Sequence, residues 1–268
     1  AVGIPTNSGS AASGGSHAST PVRVERFDTI VIGGGQAGLA VAQQLGVRDI
    51  DHVVLDAEAR VGDVWRRRWD SLRLFTPARY CGLPGMVFPA PPLHLPDKDE
   101  VAHYLERYAE HFDIPVRSNT RVESLTWDGA RYVVRSGDTR FEADNVVVAT
   151  GPFQRPRIPA VAERLSPDIT QLHSSEYTTP FTLPEGAVLV VGAGPSGAQI
   201  AMELARFRKV WLAGRDTGHL PRRLLGRDLF DWIWPLIQRA TTDTAIGRRL
   251  RASASQGGDA LIGIPERT

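Results

Sequence analysis

The stretch Val31-Ile-Gly-Gly-Gly-Gln-Ala-Gly-Leu-Ala-Val-Ala-Gln-Gln-Leu45 sets the reading of the whole chain. An apolar strand pattern, Thr29 to Ile32, runs into glycines 33, 35 and 38, and small and apolar residues continue through Ala40, Ala42 and Leu45. In a strand–turn–helix unit each glycine has a physical task. Gly33 permits the tight turn, Gly35 lets the backbone approach a pyrophosphate, and Gly38 lets the helix pack closely on the strand. The helix N-terminus, at Gln36 and Ala37, offers N–H groups and a positive dipole end to phosphates. The next strand pattern, Val53-Val54-Leu55, ends on Asp56, placed to accept hydrogen bonds from ribose hydroxyls.

The pattern returns 159 residues later as Val190-Val-Gly-Ala-Gly-Pro-Ser-Gly-Ala-Gln-Ile-Ala-Met-Glu-Leu204, and the two copies align without a gap. Gly192, Gly194, Ser196 and Gly197 fall on Gly33, Gly35, Ala37 and Gly38. Two dinucleotide-binding units follow from this internal repeat. The same register sets Arg215 against Asp56. An acid there favours a free ribose hydroxyl and repels a 2′-phosphate, whereas an arginine accommodates that phosphate. Such a charge-assisted contact contributes roughly 1.5–3 kcal/mol. The first unit is therefore expected to take a dinucleotide without a 2′-phosphate, such as FAD, and the second NADPH.

Between the units, residues 60–80 are too polar and aromatic for a simple core segment. Gly62 and Trp65 suit a loop over a flat cofactor, and Arg66, Arg67 and Arg68 either touch phosphates or are solvated. A proline-rich loop, Pro84 to Pro96, precedes a helix expected from Asp97 to Phe112. Asp97 and Glu100 have capping-box spacing, and Val101, Tyr104, Leu105 and Tyr108 form an apolar stripe. Three short strand patterns, Val122–Trp127, Arg131–Arg135 and Thr139–Glu142, are separated by Asp-Gly and Gly-Asp turns and predict an antiparallel meander. A buried strand, Asn145 to Ala149, is expected next, ending in a turn at Gly151. Pro152, Pro156 and Pro159 mark a linker.

The fold class expected is α/β, with two Rossmann-like units and a meander inserted in the first. The expected domains are a disordered, Gly/Ala/Ser-rich leader (1–25), the N-terminal part of an FAD-binding domain (26–155) and an NADPH-binding domain (160–268) whose completeness stays open. With 31 basic and 30 acidic residues in 268, the chain carries no electrostatic case for nucleic acid or an anionic membrane. No apolar run is long enough to span a bilayer. A single cysteine, Cys81, excludes an intrachain disulfide, a dithiol centre and a cysteine metal cluster within this chain, and no metal is expected. The expected location is the cytoplasm. Homodimerisation stays open.

The order of these motifs resembles the two-dinucleotide flavoprotein oxidoreductases, and more closely the flavin-containing (class B) monooxygenases and their bacterial relatives. The residues carrying the resemblance are Gly62 and Trp65 after Asp56, the Arg68–Thr76 loop, Ala149-Thr150-Gly151, His173-Ser-Ser-Glu-Tyr177 and Gly192–Gly197; it covers about Phe27 to Gly226. It implies FAD contacts at Gly62, Trp65, Arg73, Thr150 and Gly151. It further implies that NADPH reduces FAD and that the reduced flavin activates O2 to oxygenate a nitrogen, sulfur or ketone carbon of a small substrate. His173 and Tyr177 are the catalytic candidates it supplies. Two departures stand out. Pro167 and Ile169 occupy the positions where the family fingerprint has Phe and Gly. The family's C-terminal segment with its Gly-Asp element has no counterpart: residues 217–268 show a helix around Asp228–Arg239, and Gly258-Asp259 lies in a polar stretch. The chain is read as C-terminally truncated relative to the family. The alternatives are an FAD-dependent NADPH reductase or oxidase without oxygenation, and a truncated, non-catalytic nucleotide-binding flavoprotein. A disulfide reductase is disfavoured by the missing cysteine pair.

Overall fold

The computed structural model describes residues 23–151, 155–216, 218–241, 243–244, 247–248 and 261–262. The leader up to residue 22, Pro152 and the Gly258-Asp259 pair lie outside the described residues.

The first unit is a six-stranded sheet. Its strands are β1 (Arg23–Ile32), β2 (His52–Leu55), β3 (Val116–Arg117), β4 (Ser124–Trp127), β5 (Tyr132–Ser136) and β6 (Thr139–Val148), in the order β3-β2-β1-β6-β5-β4. β3, β2, β1 and β6 are parallel to their neighbours, whereas β4, β5 and β6 form the antiparallel meander. β6 therefore belongs to both halves. The sequence suggested two segments, Thr139–Glu142 and a separate buried strand at Asn145; the chain instead runs through as one ten-residue strand paired along β1 from Arg23↔Thr139 to Ile32↔Val148. Its last part is only partly covered, and Val148 is 62% exposed.

Helices α1 (Gln36–Gly46) and α3 (Lys98–His111) cover one face of the parallel strands. Leu39 and Ala42 of α1, and Val101, Tyr104, Leu105 and Tyr108 of α3, bury against Val31 and Val54. The expected capping box sets the start of α3: Asp97 accepts the N–H groups of Asp99 and Glu100 at 3.0 and 2.9 Å, while the Glu100 carboxylate accepts that of Asp97 at 2.8 Å. Losing such a cap costs about 1 kcal/mol. The meander closes the opposite face, with Val134, Phe141 and Ala143 packed on Ile30, Ile32, Val53 and Leu55. Covered on both sides, the end of β1 is held rigidly where the glycine turn begins.

The second unit has parallel strands β7 (Val188–Val191) and β8 (Val210–Ala213), joined through α4 (Pro195–Leu204). Ile200 and Leu204 of α4 pack on Val188, Val190 and Val210. Leu189, Val191, Trp211 and Leu212 are exposed. The units meet through residues 65–80, which begin within the short helix α2 (Asp63–Arg66). Trp69 and Leu72 bury against Ile200, Leu204 and Tyr177, and the Asp70 N–H donates to the Thr178 carbonyl at 2.9 Å. A further helix, α5 (Leu229–Arg239), is N-capped by Asp228, whose carboxylate accepts the Phe230 N–H at 3.0 Å. It lays Phe230 against Phe75 and Trp234 against Tyr80. Among the described residues, no helix is long and apolar enough to cross a membrane.

Candidate nucleotide-binding sites

Both glycine turns sit at the carboxyl ends of parallel strands. The first lies where the strand order reverses, with β2 on one side of β1 and β6 on the other; ligands of open α/β sheets bind at such crevices. The Gly33 N–H donates to the Leu55 carbonyl at 2.8 Å, and the Gly192 N–H donates to the Ala213 carbonyl at 2.7 Å. Gly33 and Gly192 have φ of 107° and 110°, a region that L side chains rarely adopt. A Cβ on Gly33 would also come within 2.6 Å of the Ala149 carbonyl oxygen. Cβ atoms on Gly38 and Gly197 would overlap the carbonyl oxygens of Gly33 and Gly192. The protein's own backbone therefore requires these four glycines.

Gly35 and Gly194 are different. Their backbones are extended, with φ/ψ of −80°/−172° and −78°/−179°, which any residue adopts. A Cβ at either would meet nothing within 4 Å. Each is the N-cap of its helix, neither makes a side-chain cap, and neither helix has an acid in its first turn. Two uncapped helix N-termini thus face space that a side chain would fill. Gln36 and Ala37 open α1; in α4 Pro195 takes the first position and Ser196, exposed, the second.

Asp56 closes β2 and is half-buried. One carboxylate oxygen accepts the Gly34 N–H and the other the Glu58 N–H, both at 3.1 Å. Burial raises its carboxyl above the ordinary range, against the lowering by these hydrogen bonds. A Cβ on Gly34 would strike this carboxylate. In the second unit the same register holds Ala193, and Gly214 makes the room instead, because a Cβ there would strike Ala193. Arg215 follows, exposed beyond β8.

The remaining candidates divide. Gly151 has φ 72°, open space around it and a place just past β6, next to exposed Thr150. Gly62 is needed by helix packing, since its Cβ would come within 2.6 Å of the Ala102 carbonyl oxygen. Trp65 is partly buried against both the α1–α3 core and the joint with the second unit. Arg66 pairs with Asp63 and Glu106, and Arg67 with Glu58. Arg73 donates from its guanidinium to the Leu95 carbonyl at 3.2 Å. His173 shares a hydrogen bond through Nδ1 with the Ser175 hydroxyl at 2.8 Å, and its N–H donates to Glu176 at 2.8 Å, so the His-Ser-Ser-Glu turn satisfies itself. Tyr177 is buried, and its hydroxyl donates to Glu203 of α4 at 2.7 Å. Glu203 lies seven residues beyond Ser196, about 10 Å along the helix axis, so this hydroxyl is held away from the α4 N-terminus. Sequence reasoning missed Gly34 and the Tyr177–Glu203 pair. The paired exchange of Gly34 and Asp56 for Ala193 and Arg215 within the repeat was the available signal for the first.

The sequence matches the family described as pyridine nucleotide-disulphide oxidoreductase over residues 30–248. The chain belongs to this family. Among relatives, it is 47% identical over 206 residues to an uncharacterized CzcO-like oxidoreductase of Geobacillus kaustophilus, covering 76% of this chain and 59% of that protein. It is 34% identical to the probable indole-3-pyruvate monooxygenase YUCCA1 of Arabidopsis thaliana, covering 75% of this chain and 50% of that one. A solved structure of the flavin-containing monooxygenase from Stenotrophomonas maltophilia superposes with a TM-score of 0.71 at 30% identity, covering 89% of this chain and 70% of that one. The chain thus spans about half to two thirds of the length of these proteins. Within the pyridine nucleotide-disulphide oxidoreductase family, its solved neighbours include flavin monooxygenases, and the doubled Rossmann-like fold agrees with them.

Proposed function

We propose that the chain is the nucleotide-binding part of a flavin-dependent oxidoreductase that holds FAD on the first glycine turn and NADPH on the second. The observation that carries this reading is the pair Gly35 and Gly194. Both are glycines that neither the backbone conformation nor any neighbouring atom demands, and each stands at an uncapped helix N-terminus. A pyrophosphate approaching the backbone accounts for both. The likeness to flavin monooxygenases, and to a steroid monooxygenase whose structure was solved bound to NADP, supports the choice of nucleotides.

Each turn has a defined task. The first-turn N–H groups of α1 and α4 would bind the pyrophosphates. Asp56 keeps the first turn in shape and can accept from a ribose hydroxyl; Arg215 would take a 2′-phosphate. Bound FAD would supply hydride acceptance and, once reduced, oxygen activation toward a small nitrogen, sulfur or ketone substrate. The protein's share is to bind, orient and exclude water.

A second reading, NADPH oxidation without substrate oxygenation, is favoured by one feature. Tyr177 is buried and bonded to Glu203, which leaves His173 as the accessible member of the pair. Thiol–disulphide exchange at Cys81 is disfavoured: its thiol donates to the Thr76 and Pro77 carbonyls, and burial pushes it up to about 11.

The test uses the full 268-residue chain reconstituted with FAD. Yellow flavin absorbance and NADPH-driven oxygen uptake are expected. Product coupled to uptake with sulfide, amine or ketone supports oxygenation, and peroxide alone supports the second reading. A chain that takes up no FAD overturns both.

A further inference from the structure

The two nucleotide units are joined by a contact that no glycine motif calls for. Gln199 lies on α4, five residues beyond the N-cap Gly194, where the first unit has Ala40. Its side-chain oxygen accepts the Arg73 N–H at 3.3 Å, and its side-chain nitrogen donates to the Arg73 carbonyl at 2.9 Å. One amide therefore satisfies both backbone groups of one residue, as a neighbouring strand would. On its other side the segment pairs with the start of α3: Arg73 bridges Asp97, and the Leu74 N–H donates to the Pro96 carbonyl at 2.8 Å. Arg73 and Leu74 are thus held between the first unit's α3 and the second unit's α4. Ile200 and Leu204, one and five residues further along α4, press on Trp69 and Leu72 and remove lateral play.

We propose that Gln199 is a positioning residue: it latches the 69–74 segment to α4 and so fixes the spacing of the two glycine turns for hydride transfer between their nucleotides. This rests on the FAD and NADPH reading above. Reacting atoms in such a transfer must lie within about 3–3.5 Å, and a misplacement of about 1 Å costs on the order of 100-fold in rate. Gln199 touches the segment's backbone, so its effect falls on rate and not on either nucleotide's affinity.

Two measurements on the full chain test this. In the cofactor-free protein, amide hydrogen exchange is followed for wild type and Gln199→Ala. Faster exchange is expected at Arg73, with Leu74 unchanged because its acceptor is Pro96. Equal exchange at Arg73 overturns the latch. In the reconstituted protein, rapid-mixing reduction of FAD by NADPH is followed for wild type, Gln199→Ala and Gln199→Glu. Gln199→Ala is expected to lower the limiting rate by about 10- to 100-fold, with flavin content and NADPH Kd within about twofold. Gln199→Glu keeps the acceptor, loses the donor and should fall between. An unchanged limiting rate, or a change confined to Kd, overturns the positioning role. A wild-type chain that binds FAD but is not reduced by NADPH overturns the hydride-transfer reading and with it the positioning role, while the exchange result still decides the latch.

Discussion

The carboxylate of Asp56 closes the first glycine turn by accepting the backbone N–H of Gly34 at 3.1 Å, and it occupies the space that any side chain at position 34 would need. The acid at the end of β2 therefore shapes the turn as well as facing the crevice. Asp56→Ala is expected to lower the flavin retained on purification, because the Gly34 N–H loses its acceptor and the turn its support. Unchanged flavin content overturns this.

A pH dependence follows from the same residue. Burial raises the folded carboxyl above 3.8, so the native state holds the proton more tightly than the unfolded chain does. Asp56 then favours folding at low pH, and this contribution fades as pH rises through the folded value. The Tm difference, wild type minus Asp56→Asn, should shrink as pH rises above 3.8 through the folded carboxyl's raised value and flatten once that carboxyl is ionised. A difference that widens over this range overturns the assignment.

The two kinds of glycine separate binding from folding. Gly35→Ala meets open space in an ordinary conformation, and its cost to stability is expected below about 1 kcal/mol. Gly38→Ala forces the Gly33 carbonyl aside, at about 1–3 kcal/mol or more. Flavin content should collapse in Gly35→Ala at nearly unchanged Tm, whereas Gly38→Ala should lose both together. A large drop in Tm for Gly35→Ala would show that the protein itself needs that glycine.

The sequence made the doubled unit, the capping box of α3 and the meander legible, because each rests on local spacing. It did not reveal that β6 is one strand serving two sheet directions. Ala143 and Asp144 fell between the two expected strands, yet the strand runs on through them, with Ala143 paired to Phe27 and Asn145 to Thr29. The joint was also hidden. Gln199 looks like one more polar position in a motif, and only the fold brings it to Arg73, 126 residues away in sequence. Tyr177 was legible as part of a fingerprint, but its burial against α4 comes from tertiary packing with Trp69 and Leu72.

That packing gives Tyr177 a testable role. Tyr177→Phe removes the hydroxyl that Glu203 accepts and keeps the ring between Trp69 and Leu204. A loss of about 1 kcal/mol in stability is expected, with turnover per bound flavin unchanged. Turnover falling tenfold at unchanged stability would return Tyr177 to the chemistry.

The proposed choice of NADPH at the second turn rests on Arg215. This residue stands two residues past β8, exposed, at the register position that Asp56 holds in the first unit. Nothing about the turn requires a cation there, since Gly214 and Ala193 settle their own packing. A guanidinium at a strand end matches a 2′-phosphate and gains nothing from a ribose that lacks one. Arg215→Ala should therefore weaken NADPH by about 10- to 150-fold, the equivalent of roughly 1.5–3 kcal/mol, and leave NADH within about twofold. The ratio of the two Kd values is the readout, because a general loss of structure would lower both. Equal weakening of NADPH and NADH would remove the 2′-phosphate role, and Arg215 would then be a solvated arginine at the edge of β8.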